Sequence, residues 1–284
     1  MNKINSKVMM CDMHTHSQSS HDSIAKIEDV ARACLNKNIS VFAVTDHCDI
    51  EYCDSIDIPS ILESSLSEIE NTAVLYRGKI EILKGVEIGE ALWNKQYTSE
   101  LMNKFSFDTI IGSVHAVRYD GYTQPYSTID FSQMTEKQID EYVEAYFDDL
   151  LEMVKSFDCD IVAHLSCPLR YINGKYGLNV ELFKYRDKIS KVLDCIVSRL
   201  LSLEVNTSGI GSTYNELMPP KWVLEEYKRK GGYLISFGSD AHVPEKVGNG
   251  FEYAIKALTE CGFDACYFYK NRKPQRVDLL KKDC

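Results

Sequence analysis

Val8-Met9-Met10-Cys11-Asp12-Met13-His14-Thr15-His16 is an apolar run that stops abruptly in acidic and imidazole groups. The run is short and lacks a 3.6-residue period, which predicts a strand near 8–13. Past its end, period-2 alternation points His14 and His16 to the same side, where two neutral imidazoles can share one ion. The arrangement recurs down the chain. A strand near 40–45 ends in Thr45-Asp46-His47, one near 80–86 in Gly85-Val86-Glu87, and one near 109–114 runs into His115. A strand at 160–164 ends in Ala163-His164, and one at 233–238 runs out through Ser239-Asp240-Ala241-His242. A further strand is expected at 203–206.

Amphipathic segments fit between these strands, near 24–37, 60–77, 135–156, 179–202, 219–230 and 250–260. Thr135 and Gln138 have the spacing of a capping box opening the third of them. Repeated strand–helix units imply a parallel sheet, and seven or eight of them a closed α/β barrel, whose active site lies on the C-terminal rim. An aromatic run at 265–270 is expected to close the chain against the body. The stretches 46–58, 115–134 and 165–178 are longer than plain connections and read as functional loops. No Pro/Ser/Gly-rich linker interrupts the pattern, so one domain is expected across 1–284.

Of the seven histidines, only His21 falls clearly outside a strand end, in the loop after the first strand. One histidine at a strand end is ordinarily a packed or capped residue; six of them on one rim form a joint pattern. Carboxylates mixed with imidazoles suit a hydrolytic site with several ions, whereas thiolates would suit structural zinc. The ten cysteines include no C-x-x-C pair, and several lie in apolar patterns, as free thiols do in a reducing compartment. With 44% hydrophobic residues a large core can form. The absence of an apolar signal region or a long apolar stretch argues against a membrane, and a cytoplasmic protein is expected. A net charge of −10 disfavours nucleic acid as partner, because binding a polyanion requires a basic face. Bound cations would still reverse that sign locally for one small phosphate.

Taken in order, HTHSQSSHDS, VTDH, GVEIGE, GSVHAVR, VAHLS, EVNTSG and FGSDAH resemble the polymerase-and-histidinol-phosphatase (PHP) superfamily. EVNTSG with FGSDAH, and the closing YFYKNRKPQRVDL, resemble its histidinol-phosphate phosphatase branch. The resemblance implies a single-domain, distorted (β/α)7 TIM-like barrel with two to three divalent ions, zinc, manganese or iron. It implies His14, His16, Glu87 and Asp240 around a first ion. Glu87 would bridge to a second ion held by His115 and His164, and a third would take Asp22, His47 and His242. The family places this last loop ligand six residues after the second histidine of H-x-H, which selects Asp22 and leaves His21 on the substrate side.

The implied reaction is hydrolysis of a small phosphate monoester, L-histidinol phosphate first among them. Glu87, Asp240 and His242 are its candidate catalytic groups, with Asp240 or a neighbouring histidine supplying the leaving group's proton. Arg118, three residues past His115, and Arg170, six past His164, are candidates for gripping the phosphate, since guanidinium forks match phosphate geometry. The Asn206-Thr207-Ser208-Gly209 turn could serve the substrate or the ligands, and Tyr119, Tyr122, Tyr126 and Tyr171 lie in rim loops. Another phosphorylated metabolite, a nucleotide or nucleic-acid phosphodiester, and a non-catalytic metal-binding module are the alternatives; the oligomeric state is left open.

Overall fold

A computed structural model describes residues 10–279; Val8 and Met9 of the expected first strand, and the thiol of Cys284, lie outside the described residues. The barrel strands are β1 (Cys11–Thr15), β2 (Val41–Val44), β3 (His47–Asp49), β4 (Glu81–Gly89), β5 (Thr109–Ser113), β6 (Ile161–Val162), β7 (Ser202–Asn206) and β8 (Ile235–Gly238). They pair in the order β1-β2-β4-β5-β6-β7-β8, all parallel, with β3 resuming the line of β2 beside β4. Near-continuous burial along these strands is what a parallel sheet covered on both faces requires. The ring draws together at its C-terminal rim, where Thr15 bridges Ala241 and the Asp240 N–H donates to the His14 carbonyl at 2.8 Å. The expected α/β barrel with seven parallel strand positions is therefore present, nearly closed.

Gly85 shows how tightly β2 and β4 approach. A Cβ at this position would lie 2.5 Å from Thr45 Cγ2 and 2.8 Å from the Val44 carbonyl oxygen. A side chain there would push apart the two strands that carry His47 and Glu87.

The outer layer comprises α1 (Ile27–Asn36), α2 (Ile58–Leu75), α3 (Lys95–Lys104), α4 (Glu136–Ser156), α5 (Cys167–Leu169), α6 (Arg186–Arg199), α7 (Lys221–Arg229) and α8 (Phe251–Glu260). The capping box is formed: the Gln138 N–H donates to Thr135 Oγ1 at 3.3 Å, and Gln138 Oε1 accepts the Thr135 N–H at 3.0 Å. Helix α3 is absent from the sequence reading because it buries only Thr98 and Leu101 and so has almost no apolar stripe; its visible signal is the Asn94 N-cap.

The aromatic run at 265–270 forms β9 (Ala265–Lys270), which turns back as β10 (Lys273–Asp278) in an antiparallel hairpin. The hairpin lies across the N-terminal ends of the barrel strands, where Ser236 Oγ donates to the Tyr267 carbonyl at 2.9 Å and Ser202 Oγ meets Tyr269 OH at 3.0 Å. One end is thus plugged, leaving the opposite rim for chemistry. No helix among the described residues is long and apolar enough to cross a membrane.

Candidate metal centre

The strand ends deliver their polar groups to one buried point, Glu87 on β4. Its Oε2 lies 3.2 Å from His14 Nε2, 3.6 Å from His16 Nε2 and 3.0 Å from His47 Nδ1. Its Oε1 lies 3.1 Å from both His115 Nε2 and His164 Nε2, and those two nitrogens are 3.3 Å apart. Asp240 Oδ1 approaches His16 Nε2 at 3.3 Å and His14 Nε2 at 3.7 Å. On the open side, Asp22 stands between His242 Nε2 at 3.1 Å and His47 Nε2 at 3.6 Å.

Burial alone would raise the Glu87 carboxyl, but the imidazoles of His14, His115 and His47 hold it well below the usual carboxylate range. Asp240 is held low for the same reason, by His14, His16 and His242 against its own desolvation. Desolvation with the neighbouring His47 and His242 pushes His16 down to about 3. His14 is also desolvated, but the carboxylates of Glu87, Glu204 and Asp240 raise it well above an ordinary imidazole.

The donor set fits divalent ions. His14 Nε2, His16 Nε2, His47 Nδ1, Glu87 Oε2 and His242 Nε2 are buried, face one another, and make no hydrogen bond. Such groups are costly to bury unless something else satisfies them. Among the described residues, four groups of donor atoms lie within 4.8 Å of one another: His14 with His16 and Asp240, His47 with Glu87 and His115, His16 with His47 and His242, and Asp49 with Glu90 and His115. Mixed imidazole and carboxylate donors of this kind suit zinc, manganese or iron.

Several supporting groups were not singled out in the sequence. Glu204 Oε1 accepts from His14 Nδ1 at 2.7 Å, and Asp49 Oδ1 pairs with His115 Nδ1 at 3.0 Å. Ser20 Oγ lies 3.1 Å from His16 Nδ1 and donates to Asp46 at 2.7 Å; Asp46 also accepts from Ser17 Oγ and Ser65 Oγ. The available signal was an acidic residue inside an otherwise buried strand or directly beside a strand-end histidine. His164 and Asp240 have φ of 20° and 51°, the left-handed region that non-glycine residues enter at a cost and that clusters at functional sites.

The cleft above the centre is lined by His21, Tyr126, Tyr171, Arg170, Asp22 and His242, among others. His21 is exposed, with its ring 5.5 Å from that of His47. Arg170 reaches the cleft, where its Nη1 donates to Ser208 Oγ at 3.0 Å; Ser208 Oγ lies 3.3 Å from Asp240 Oδ2. Arg118 lies apart from the cleft in this structure. Its guanidinium donates to the Leu92 carbonyl at 3.2 Å and lies over Trp93, in a separate depression beneath the rim. The Arg118 backbone N–H donates to Asp149 Oδ2 on α4 at 2.9 Å. Tyr119 and Tyr122 likewise stack on each other outside the cleft.

The sequence profile of the PHP domain matches residues 12–208. A Clostridium acetobutylicum protein named "Probable histidinol-phosphatase" is 28% identical over 265 residues, covering 92% of this chain and 98% of that protein. The histidinol-phosphatase of Lactococcus lactis is 25% identical over 273 residues, covering 95% and 97%. The crystal structure of L. lactis histidinol phosphate phosphatase, complexed with zinc, L-histidinol and phosphate, superposes with a TM-score of 0.79 at 22% identity, over 95% of this chain and 100% of that one.

Proposed function

The chain belongs to the PHP domain family, and on that premise we propose that it is a metal-dependent phosphatase that hydrolyses L-histidinol phosphate to L-histidinol and inorganic phosphate. The observation that carries this reading is the convergence of five imidazoles within 3.6 Å of the single buried carboxylate of Glu87. The relatives named for this activity match essentially end to end.

We assign His14, His16, Glu87 and Asp240 to one ion, Glu87, His115 and His164 to a second, and Asp22, His47 and His242 to a third. When bound, zinc, manganese or iron supplies Lewis acidity that neutralises the ester oxygens and makes a water acidic near pH 7. The remaining work falls to the chain. Arg170 grips the phosphate; Ser208 holds its guanidinium on the cleft wall beside Asp240, and a planar fork suits two phosphate oxygens at once. Asp240 Oδ2 is held from behind by Asn206 Nδ2 and Ser208 Oγ, each at 3.3 Å, and the carboxylate is placed to accept the proton released by the attacking water and pass it to the leaving oxygen, with His242 as the alternative carrier. His21, Tyr126 and Tyr171 form the wall facing the organic half of the ester.

A phosphatase assay over a panel of small phosphate esters, with elemental analysis of the same sample, tests the proposal. The expected result is highest kcat/KM on histidinol phosphate with two to three equivalents of metal. Less than one equivalent after metal-supplemented expression, or a preference for nucleic-acid diesters over every monoester offered, would overturn it.

A further inference from the structure

Glu204, on the inward side of β7, is outside the group of residues facing the ions, yet it touches two of them. Its Oε1 receives His14 Nδ1 at 2.7 Å; its Oε2 receives the His164 backbone N–H at 2.6 Å and Asn206 Nδ2 at 3.2 Å. The His164 N–H and Asn206 Nδ2 are donors, so Oε2 accepts from both. Glu204, His14 and His164 are all buried. On the far side of the two imidazoles, Glu87 faces His14 Nε2 and His164 Nε2. The His14 ring is therefore held between two carboxylates, while His164 is held by Glu204 at its backbone and faces Glu87 through its ring.

Space for this arrangement comes from β8. A Cβ at Gly238 would collide with Glu204 Oε1 and lie 2.7 Å from His14 Cβ. The arrangement also bears on backbone strain, because the hydrogen bond to Oε2 is made by the N–H of His164, whose φ is 20°.

We infer that Glu204 is a positioning residue of the metal centre, which sets the His14 tautomer through its ring and the His164 placement through its backbone, so that one carboxylate prepares ligands for two ions. This rests on the metal-centre reading above. By accepting from Nδ1–H, Glu204 leaves the lone pair of His14 on Nε2, the atom aimed at Glu87 and Asp240. An isosteric amide cannot do both jobs. If the glutamine oxygen accepts from the His164 N–H, its NH2 faces His14 and drives the imidazole proton onto Nε2, closing the ligand position. If the amide is flipped, two donors confront each other at the His164 N–H.

The test is Glu204→Gln, read by metal affinity in chelator competition and by the melting of metal-free protein. The expected result is affinity weakened by about 10–100-fold, the range for losing an outer partner of a ligating histidine, with the circular dichroism and melting of the metal-free protein unchanged. A second measurement does not depend on the variant folding. In zinc-loaded wild type carrying 15N-histidine, long-range NMR correlations should place a proton on His14 Nδ1. A proton on Nε2 instead, or equal metal affinity in wild type and E204Q, overturns the role of Glu204. Failure of the wild type to take up any divalent ion overturns the metal-centre reading itself, so the two failures are distinguishable.

Discussion

At the scale of single residues, the structure separates groups that sequence position alone could not. Glu87 meets imidazoles through both oxygens, so Glu87→Gln should lower metal content and cut turnover by more than about 10²-fold, the scale of losing one strong electrostatic contributor. Elemental analysis and kinetics on the folded variant check this; near-normal turnover would reduce Glu87 to a structural strand-end residue. The two arginines are expected to diverge. Arg170→Ala should keep full metal content while kcat/KM for histidinol phosphate falls about 10²-fold, near the upper part of the roughly 1.5–3 kcal/mol of a charge-assisted contact. Arg170→Lys should recover part of the loss, since a point charge lacks the fork. Arg118→Ala should change kcat/KM by no more than about twofold, the scale of a surface substitution within about 0.5 kcal/mol, because its guanidinium is bound to the Leu92 carbonyl. An Arg170→Ala variant with unchanged kcat/KM would refute the assignment of the grip to Arg170, and an equal loss in Arg118→Ala would refute its exclusion from the grip.

At the scale of elements, strand ends do the positioning and helix ends record the local cost. Helix α6 ends at Leu200, which takes the left-handed conformation, φ 55°, with 63% of its surface exposed. Glycine is the usual residue at this kind of helix terminus because it has no Cβ to strain. Leu200→Gly should therefore stabilise the protein by up to about 1 kcal/mol, the lower edge of the left-handed penalty less the extra freedom of the unfolded chain. Urea denaturation measures it, and a destabilised variant would mean that the Leu200 side chain contributes packing which outweighs the strain. Positive φ at His164 and Asp240 has a different setting, since these residues sit at the ends of β6 and β8 and are locked by Glu204 and by the β1 backbone. There the conformation aims side chains, and relaxing it would cost the site.

At the scale of the whole molecule, the barrel holds buried charges that only partly neutralise one another. Dialysis against a strong chelator should lower the melting temperature, and adding zinc or manganese should restore it. At a free ion concentration 100 times Kd, each site adds about 2.7 kcal/mol. At about 2–4 °C per kcal/mol for a chain of this size class, that is a shift of about 5 °C or more. Calorimetry on stripped and reloaded samples checks the size. An identical melting temperature in both states would mean that the imidazole cluster binds no ion in the folded protein.

The barrel and its rim were legible in the sequence because both depend on local regularities. A buried parallel strand must be apolar along its length, and its polar terminus must then fall on the rim, so Asp12-Met13-His14-Thr15-His16 and Ala163-His164 announced their own position. The Thr135–Gln138 box was legible for the same reason, since capping is settled within one turn. Helix α3 was not, because it buries too little to leave a stripe. Nor was the direction of Arg118: three residues past His115 could place it on either side of the rim, and its ties to Asp149 and Leu92 span 31 and 26 residues. The contact between His14 and Glu204 spans 190 residues. The sequence by itself determined which groups reach the C-terminal rim, because strand burial acts over neighbouring residues. Only the tertiary structure decided which groups face the cleft and which brace them from behind, because that depends on ring closure bringing β1, β6, β7 and β8 within hydrogen-bonding distance.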